Sequence, residues 1–390
     1  MIFALTPGVM LAGISAGIAF PILPSVGLKV GLPVAFIGLV LAANRIVRVL
    51  VAPAVGTLVD RFGGRRAMLV GLAMQVLGMG LFTLGVTTSF PGTFLLLGRI
   101  VHGLGSAGTF VAAGALALHG GGSEHAGRIG GAVRAAIQLG VPIGLVCGGF
   151  LSDWLNDALT FGAGALGLFL SGICAYVLIP DLRVHVARRA SIAVALRAMA
   201  DGRMAAIGIL GFASAFCGSG MVLTTTTLLV HTYRLSAFGL PERATASVLM
   251  GWLVVSEALV TTPFGRLGDR RNWHAQIAVA GLALTVPALS ILAFATRVPT
   301  VAAGMTLLGI GVAGLGPSLF ALLGRFVAPE RRGLGVGALQ VATDLGGAVG
   351  PLVGSSLFAG SLALPYLLTA AVSVLLLPVG WRLVRATRSM

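Results

Sequence analysis

The chain has 390 residues, of which 57% are hydrophobic and only 9% charged, where a soluble domain carries roughly 25% charged residues. So little charge excludes a water-soluble globular protein and points to a chain that lives in a bilayer. The 26 Lys and Arg against 11 Asp and Glu, a net +15, would suit a nucleic-acid binder, but the basic residues sit between apolar runs without the interleaved aromatics that stack bases, which excludes that class.

Taken from the amino terminus, apolar runs of about 20 residues, enough to cross a bilayer as a helix, fall at 6–28, 33–58, 66–88, 92–118, 127–152 and 158–180. Six more fall at 204–230, 243–265, 273–296, 299–323, 333–358 and 362–384. They are too long for barrel strands and do not alternate as such strands do. The first run lacks a basic region before it and is long enough to span, so no cleaved leader is expected. Cys147, Cys174 and Cys217 lie inside runs without metal-ligand spacing and read as small apolar fillers. The longest polar stretch, 181–203, divides the chain into 1–180, a cytoplasmic linker and 204–390.

With the amino terminus placed in the cytoplasm, eighteen basic residues fall inside. Four fall outside (Lys29, Arg234, Arg243, Arg297) and four deep within runs (Arg45, Arg48, Arg99, Arg134). Basic residues concentrate on the cytoplasmic side of membrane proteins, so both termini are expected there, and the net charge becomes an orientation signal.

The halves repeat each other. Gly56-Thr-Leu-Val-Asp60-Arg61 recurs as Gly265-Arg-Leu-Gly-Asp269-Arg270, and Gly140, Gly144 and Gly148 recur as Gly346, Gly350 and Gly354. Leu96-Leu97-Gly98 with Gly103 and Gly105 pairs with Leu307-Leu308-Gly309 with Gly314 and Gly316, which puts Ile310 opposite Arg99. Ordered repeats of this kind mark an internal duplication, a feature of secondary transporters.

These motifs resemble the major facilitator superfamily along essentially the whole chain. Gly56-x-Leu58-x-Asp60-Arg61-x-Gly63-x-Arg65 is similar to its loop 2–3 signature, with Gly64 where a basic residue is common. Arg99-x-x-His102-Gly103-x-Gly105 resembles the fourth-helix motif, with His102 in place of glutamine. Gly140-x-x-x-Gly144-x-x-x-Gly148-Gly149 resembles the antiporter motif of the fifth helix, with Leu145 replacing its proline and Pro142 nearby; Gly350 and Pro351 belong to a fuller copy in the eleventh span. The resemblance is nearest to the twelve-span drug:proton antiporters. It implies an all-α membrane fold of twelve transmembrane helices in two pseudo-symmetric six-helix bundles, with a midplane substrate site between them. It also implies a latch role for Asp60, Arg61, Arg65, Asp269 and Arg270 and a coupling role for Arg99; apart from the resemblance, the glycine rows beside Pro142 and Pro351 permit helix bends and close packing.

The intramembrane charges are the candidate site. An arginine at a helix centre costs about 2.5–3.5 kcal/mol on insertion scales, and Arg48, ten residues before Leu58, lies about 15 Å deep at 1.5 Å per residue. Arg45 and Arg48 share a helix face beside Asn44, either as a cation site in the cavity or as half of a buried ion pair. Only Glu257 and Asp344 are acids deep in spans; the repeat maps Arg48 onto Glu257 and Gln138 onto Asp344. In the family's helix arrangement this implies pairs of Arg45 or Arg48 with Asp344 and of Arg134 with Glu257. Desolvation disfavours a charged carboxylate and a nearby arginine favours it, so these two acids are the expected proton carriers.

Two Gly-x-Gly-x-x-Gly patterns, from Gly103 and from Gly309, match a dinucleotide fingerprint but sit inside apolar spans without a preceding strand, so no cofactor is expected. No metal site is expected either: His119, Glu124 and His125 read as a solvated loop. Thr224–Thr227 face either substrate or backbone. The expected activity is proton-coupled efflux of a small organic molecule, anionic or zwitterionic to balance the cavity's arginines, by a monomer in a bacterial inner (plasma) membrane, with the proton gradient as energy source. Uptake or facilitated transport of an organic anion is the alternative. A non-transporting receptor or a polytopic enzyme is the alternative from another class, and no nucleophile–base constellation in the spans supports an enzyme.

Overall fold

A computed structural model of the chain describes residues 2–119, 122–180, 201–327 and 332–388. These form twelve helices and, among the described residues, no strand. In chain order they are α1 (Ile2–Lys29), α2 (Val34–Phe62), α3 (Gly64–Thr87), α4 (Pro91–His119), α5 (Gly122–Trp154) and α6 (Asp157–Leu178). The second set is α7 (Gly202–Thr232), α8 (Glu242–Arg271), α9 (His274–Ala293), α10 (Val298–Phe326), α11 (Arg332–Gly360) and α12 (Leu364–Arg388). Each contains a stretch long and apolar enough to cross a membrane. The first six helices cluster into one compact unit and the last six into another. Residues 181–200 of the expected linker lie outside the described residues.

α2 and α8 run a turn or more beyond their apolar runs, because backbone hydrogen bonds continue where hydropathy stops. The signature stretch Gly56–Arg66 is therefore two helix ends rather than an extended turn: α2 continues through Asp60 to Phe62 and α3 begins at Gly64. Only Gly63 departs, at φ 87°, a backbone region open mainly to glycine. Likewise α5 and α11 continue through Pro142 and Pro351.

Lipid offers helices no hydrophobic drive to pack, so close backbone approach supplies the contact. In the first unit α1 and α5 meet along a glycine seam. A methyl group on Gly144 would strike the Ile14 carbonyl, 2.7 Å from its carbon, and lie 3.0 Å from Gly17 Cα. In the second unit α7 and α11 meet the same way, with a methyl on Gly350 falling 2.7 Å from Gly220 Cα and Met221 N. α7 is π-helical over Phe216–Val222, the segment that forms its side of this seam. The threonine run that follows repairs it: Thr224, Thr225 and Thr226 donate to the carbonyls of Gly220, Met221 and Val222 at 2.8, 3.0 and 2.6 Å. Three of the four threonines thus serve backbone; Thr227 Oγ1 is buried without a partner.

The two signature connections hold by different chemistry. In the first, Arg65 Nη1 donates to the Ile179 carbonyl at 3.3 Å and lies over the Tyr176 ring, tying the start of α3 to the end of α6. In the second, the position equivalent to Arg65 is His274, whose Nε2 bonds Asp269 Oδ1 at 3.0 Å. Its buried ring fills the space a side chain at Gly268 would need, and Asn272 turns the chain at φ 58°. At the opposite end of the first unit, buried Asp157 accepts from Ser152 Oγ at 2.7 Å and pairs with Lys29 at 3.4 Å.

A buried polar strip on α4

Arg99, His102, Ser106 and Thr109 recur every three or four residues along α4, which places them on one helix face, and all four are buried. α2 crosses α4 at Gly103, where a side chain would meet the Asn44 carbonyl oxygen at 2.8 Å and its Cα at 3.1 Å. That crossing sets Asn44 Nδ2 3.1 Å from His102 Nδ1. An amide nitrogen only donates, so Nδ1 accepts and the ring proton sits on Nε2. His102 is 2% exposed, its ring stacks on Phe82 with centroids 6.3 Å apart, and Nε2 has no hydrogen-bond partner. Arg99 is 4% exposed; its guanidinium lies 5.8 Å from the centre of the half-buried Phe20 ring, and its Nε also lacks a partner. Gln75 of α3 donates to Thr109 at 2.7 Å. Beside the strip on α2, Arg45 and Arg48 are half-buried, Arg45 close enough to Arg99 for their charges to repel and Arg48 5.9 Å from the Phe110 ring centre.

The second unit shows what the fold requires at this place. The packing of four glycines aligns α4 with α10: Gly98 and Gly304 meet Phe82 and Leu292, Gly103 and Gly309 meet Asn44 and Leu253, and Gly105 and Gly108 with Gly311 and Gly314 meet Gly71 and Gly281. This corrects the sequence pairing of Gly98 with Gly309 by five residues. Gly98-type repeats are frequent enough in such glycine-rich helices to align out of register, whereas contacts are not. The two dinucleotide-like glycine patterns turn out to be the true repeat, each spaced for crossings with two neighbouring helices. Arg99 is then matched by Met305 rather than Ile310, and His102, Ser106 and Thr109 by Leu308, Val312 and Leu315. The counterpart strip is wholly apolar. Asn44 is matched by Leu253, and Glu257 lies at the α8–α10 crossing where Arg48 lies in the first copy.

Among the other expected residues, Glu257 is half-buried on α8 and Asp344 buried on α11. The side chains of Arg134 and Gln138 lie outside the described residues. Asp60 is half-buried at the end of α2, while Arg61 and Arg270 are exposed. Sequence reasoning missed the Gln75–Thr109 bond and gave His102 no role. The polar residues' three-to-four spacing inside an apolar helix was the available signal.

The family model described as Major Facilitator Superfamily matches residues 5–256 and 237–389. The multidrug resistance protein MdtH of Aeromonas hydrophila subsp. hydrophila is 23% identical over 372 residues, 91% of this chain and 89% of the relative. The quinolone resistance protein NorA of Staphylococcus aureus is 28% identical over 180 residues, 46% of this chain and 45% of the relative. Among solved structures, the nucleoside transporter NupG matches with a TM-score of 0.77 at 16% identity over 98% of both chains, a likeness of fold alone.

Proposed function

The chain belongs to the major facilitator superfamily, and from that premise we propose that it exports a small organic molecule in exchange for protons, by alternating access. The observation that carries the reading is the divergence of the two copies: one framework holds an apolar strip on α10 and a buried polar strip on α4, so the polarity serves cargo or coupling rather than folding. Export is supported by similarity to MdtH over most of the chain and to NorA over about half, both named for drug resistance. Glu257 and Asp344 are the proton carriers in this reading, and Arg45, Arg48 and Arg99 supply positive charge to the cargo path. Asp60 and Arg65 act in a latch at the cytoplasmic end, the side chosen by the basic residues in the connections.

A second reading, movement of an organic anion, draws on the four in-span arginines against two in-span acids. Purified protein in liposomes separates them. Quinolone efflux that follows an imposed pH gradient supports proton exchange. Transport of anions indifferent to the gradient supports the second reading, and no transport of either overturns both.

A further inference from the structure

We propose that Arg99 and His102 form a carboxylate-recognition site inside the first six-helix unit, reached past Phe20. This rests on the transporter reading for its purpose but not for its chemistry. Two N–H donors, Arg99 Nε and His102 Nε2, are buried one helical turn apart with no acceptor. A polar group buried without a hydrogen bond is costly, and the fold does not demand this one, since Met305 and Leu308 fill the same positions in the second unit. Asn44 makes the histidine a donor: its amide occupies Nδ1, so the proton is fixed on the opposite nitrogen. The close α2–α4 crossing at Gly103 places the Asn44 backbone within reach of this ring.

Among the described residues no group accepts from either donor. From residue 1 to 119 the only acid is Asp60, four turns beyond Asn44 on α2. A carboxylate brings two oxygens to two donors and a negative charge to Arg99, beside which Arg45 adds a second positive one. Phe20 over the guanidinium and Phe82 against the imidazole are apolar walls that suit an aromatic or aliphatic body carrying that carboxylate. Of the two walls Phe82 is fully buried and Phe20, on α1, is the half-buried one.

The test uses the full-length protein, labelled with ¹⁵N-histidine and held in lipid nanodiscs, with benzoate as probe and benzamide as its uncharged match. His102 is identified by the resonance lost in His102→Gln. Benzoate is expected to shift the His102 Nε2–H signal saturably while benzamide does not. His102→Leu, which copies the second unit's own residue, should weaken benzoate binding roughly ten- to hundredfold, as loss of a charge-assisted hydrogen bond does, and His102→Gln should retain most of it. An unmoved His102 signal, or equal responses to benzoate and benzamide, overturns the proposal. If His102→Leu fails to fold, the wild-type titration alone decides. Benzoate binding at His102 with no gradient-driven export would sustain this site while overturning the proposed exchange.

Discussion

The same substitution, glycine to alanine, should have opposite effects at two places in the first unit. At Gly144 the added carbon meets backbone: the Ile14 carbonyl carbon at 2.7 Å and Gly17 Cα at 3.0 Å. Neither can change rotamer, and the Ile14 carbonyl oxygen is nearer still, so α1 and α5 must part by at least roughly 0.7 Å to approach ordinary contact. A gap of that size forfeits about a quarter to a half of each dispersion contact along the seam, and overpacked interiors lose about 1–3 kcal/mol. At Gly162 on α6 an added methyl meets nothing within 4 Å, and alanine is favoured over glycine in a helix by about 1 kcal/mol. Unfolding of both variants in mixed micelles by SDS titration, followed by circular dichroism, should place Gly144→Ala below wild type and Gly162→Ala at or above it. Coincident midpoints for the two variants would refute the backbone-contact account of the seam.

Glu257→Gln and Asp344→Asn should each cut pH-gradient-driven transport about tenfold or more while leaving the protein folded; full activity in both would remove these acids from coupling. Arg65→Ala should cost about 1 kcal/mol, as loss of a carbonyl hydrogen bond does, and Arg65→Lys should not restore it, because an ammonium cannot stack on Tyr176 as the planar guanidinium does; a thermal-shift series reads both. Thr226→Val removes the donor to the Val222 carbonyl at 2.6 Å and should lower stability by about 0.5–1.5 kcal/mol, with faster amide exchange confined to residues 222–226; unchanged exchange there would sever the threonine run from the π segment.

Hydropathy and charge placement were enough to locate twelve helices, since twenty apolar residues in a bilayer have few alternatives to a helix. Helix ends were not legible: Asp60 and Arg61 are too polar to count as span yet remain helical. The arginines and acids could be singled out because a charge in an apolar run stands out against its surroundings. Register between the copies could not. Leu-Leu-Gly recurs by chance in helices this simple in composition, and only the neighbours each glycine touches discriminate Met305 from Ile310 as the partner of Arg99. His102 was visible as an oddity, but its meaning depends on Asn44, 58 positions away in sequence. The π segment left no mark except the threonines, whose purpose is clear only once the displaced carbonyls are seen.

The His274 connection bears on how the two copies drifted apart. The residue matching Gly268 in the first copy is Val59, buried, and the residue matching His274 is Arg65. A valine at 268 would occupy the volume the imidazole now fills, so valine at 268 and the inward ring of His274 exclude each other. If the ancestral pair was valine with arginine, loss of the valine side chain was the permissive step and the histidine followed. Today's pair is then entrenched: restoring valine alone at 268 is barred by the very ring that its loss made room for.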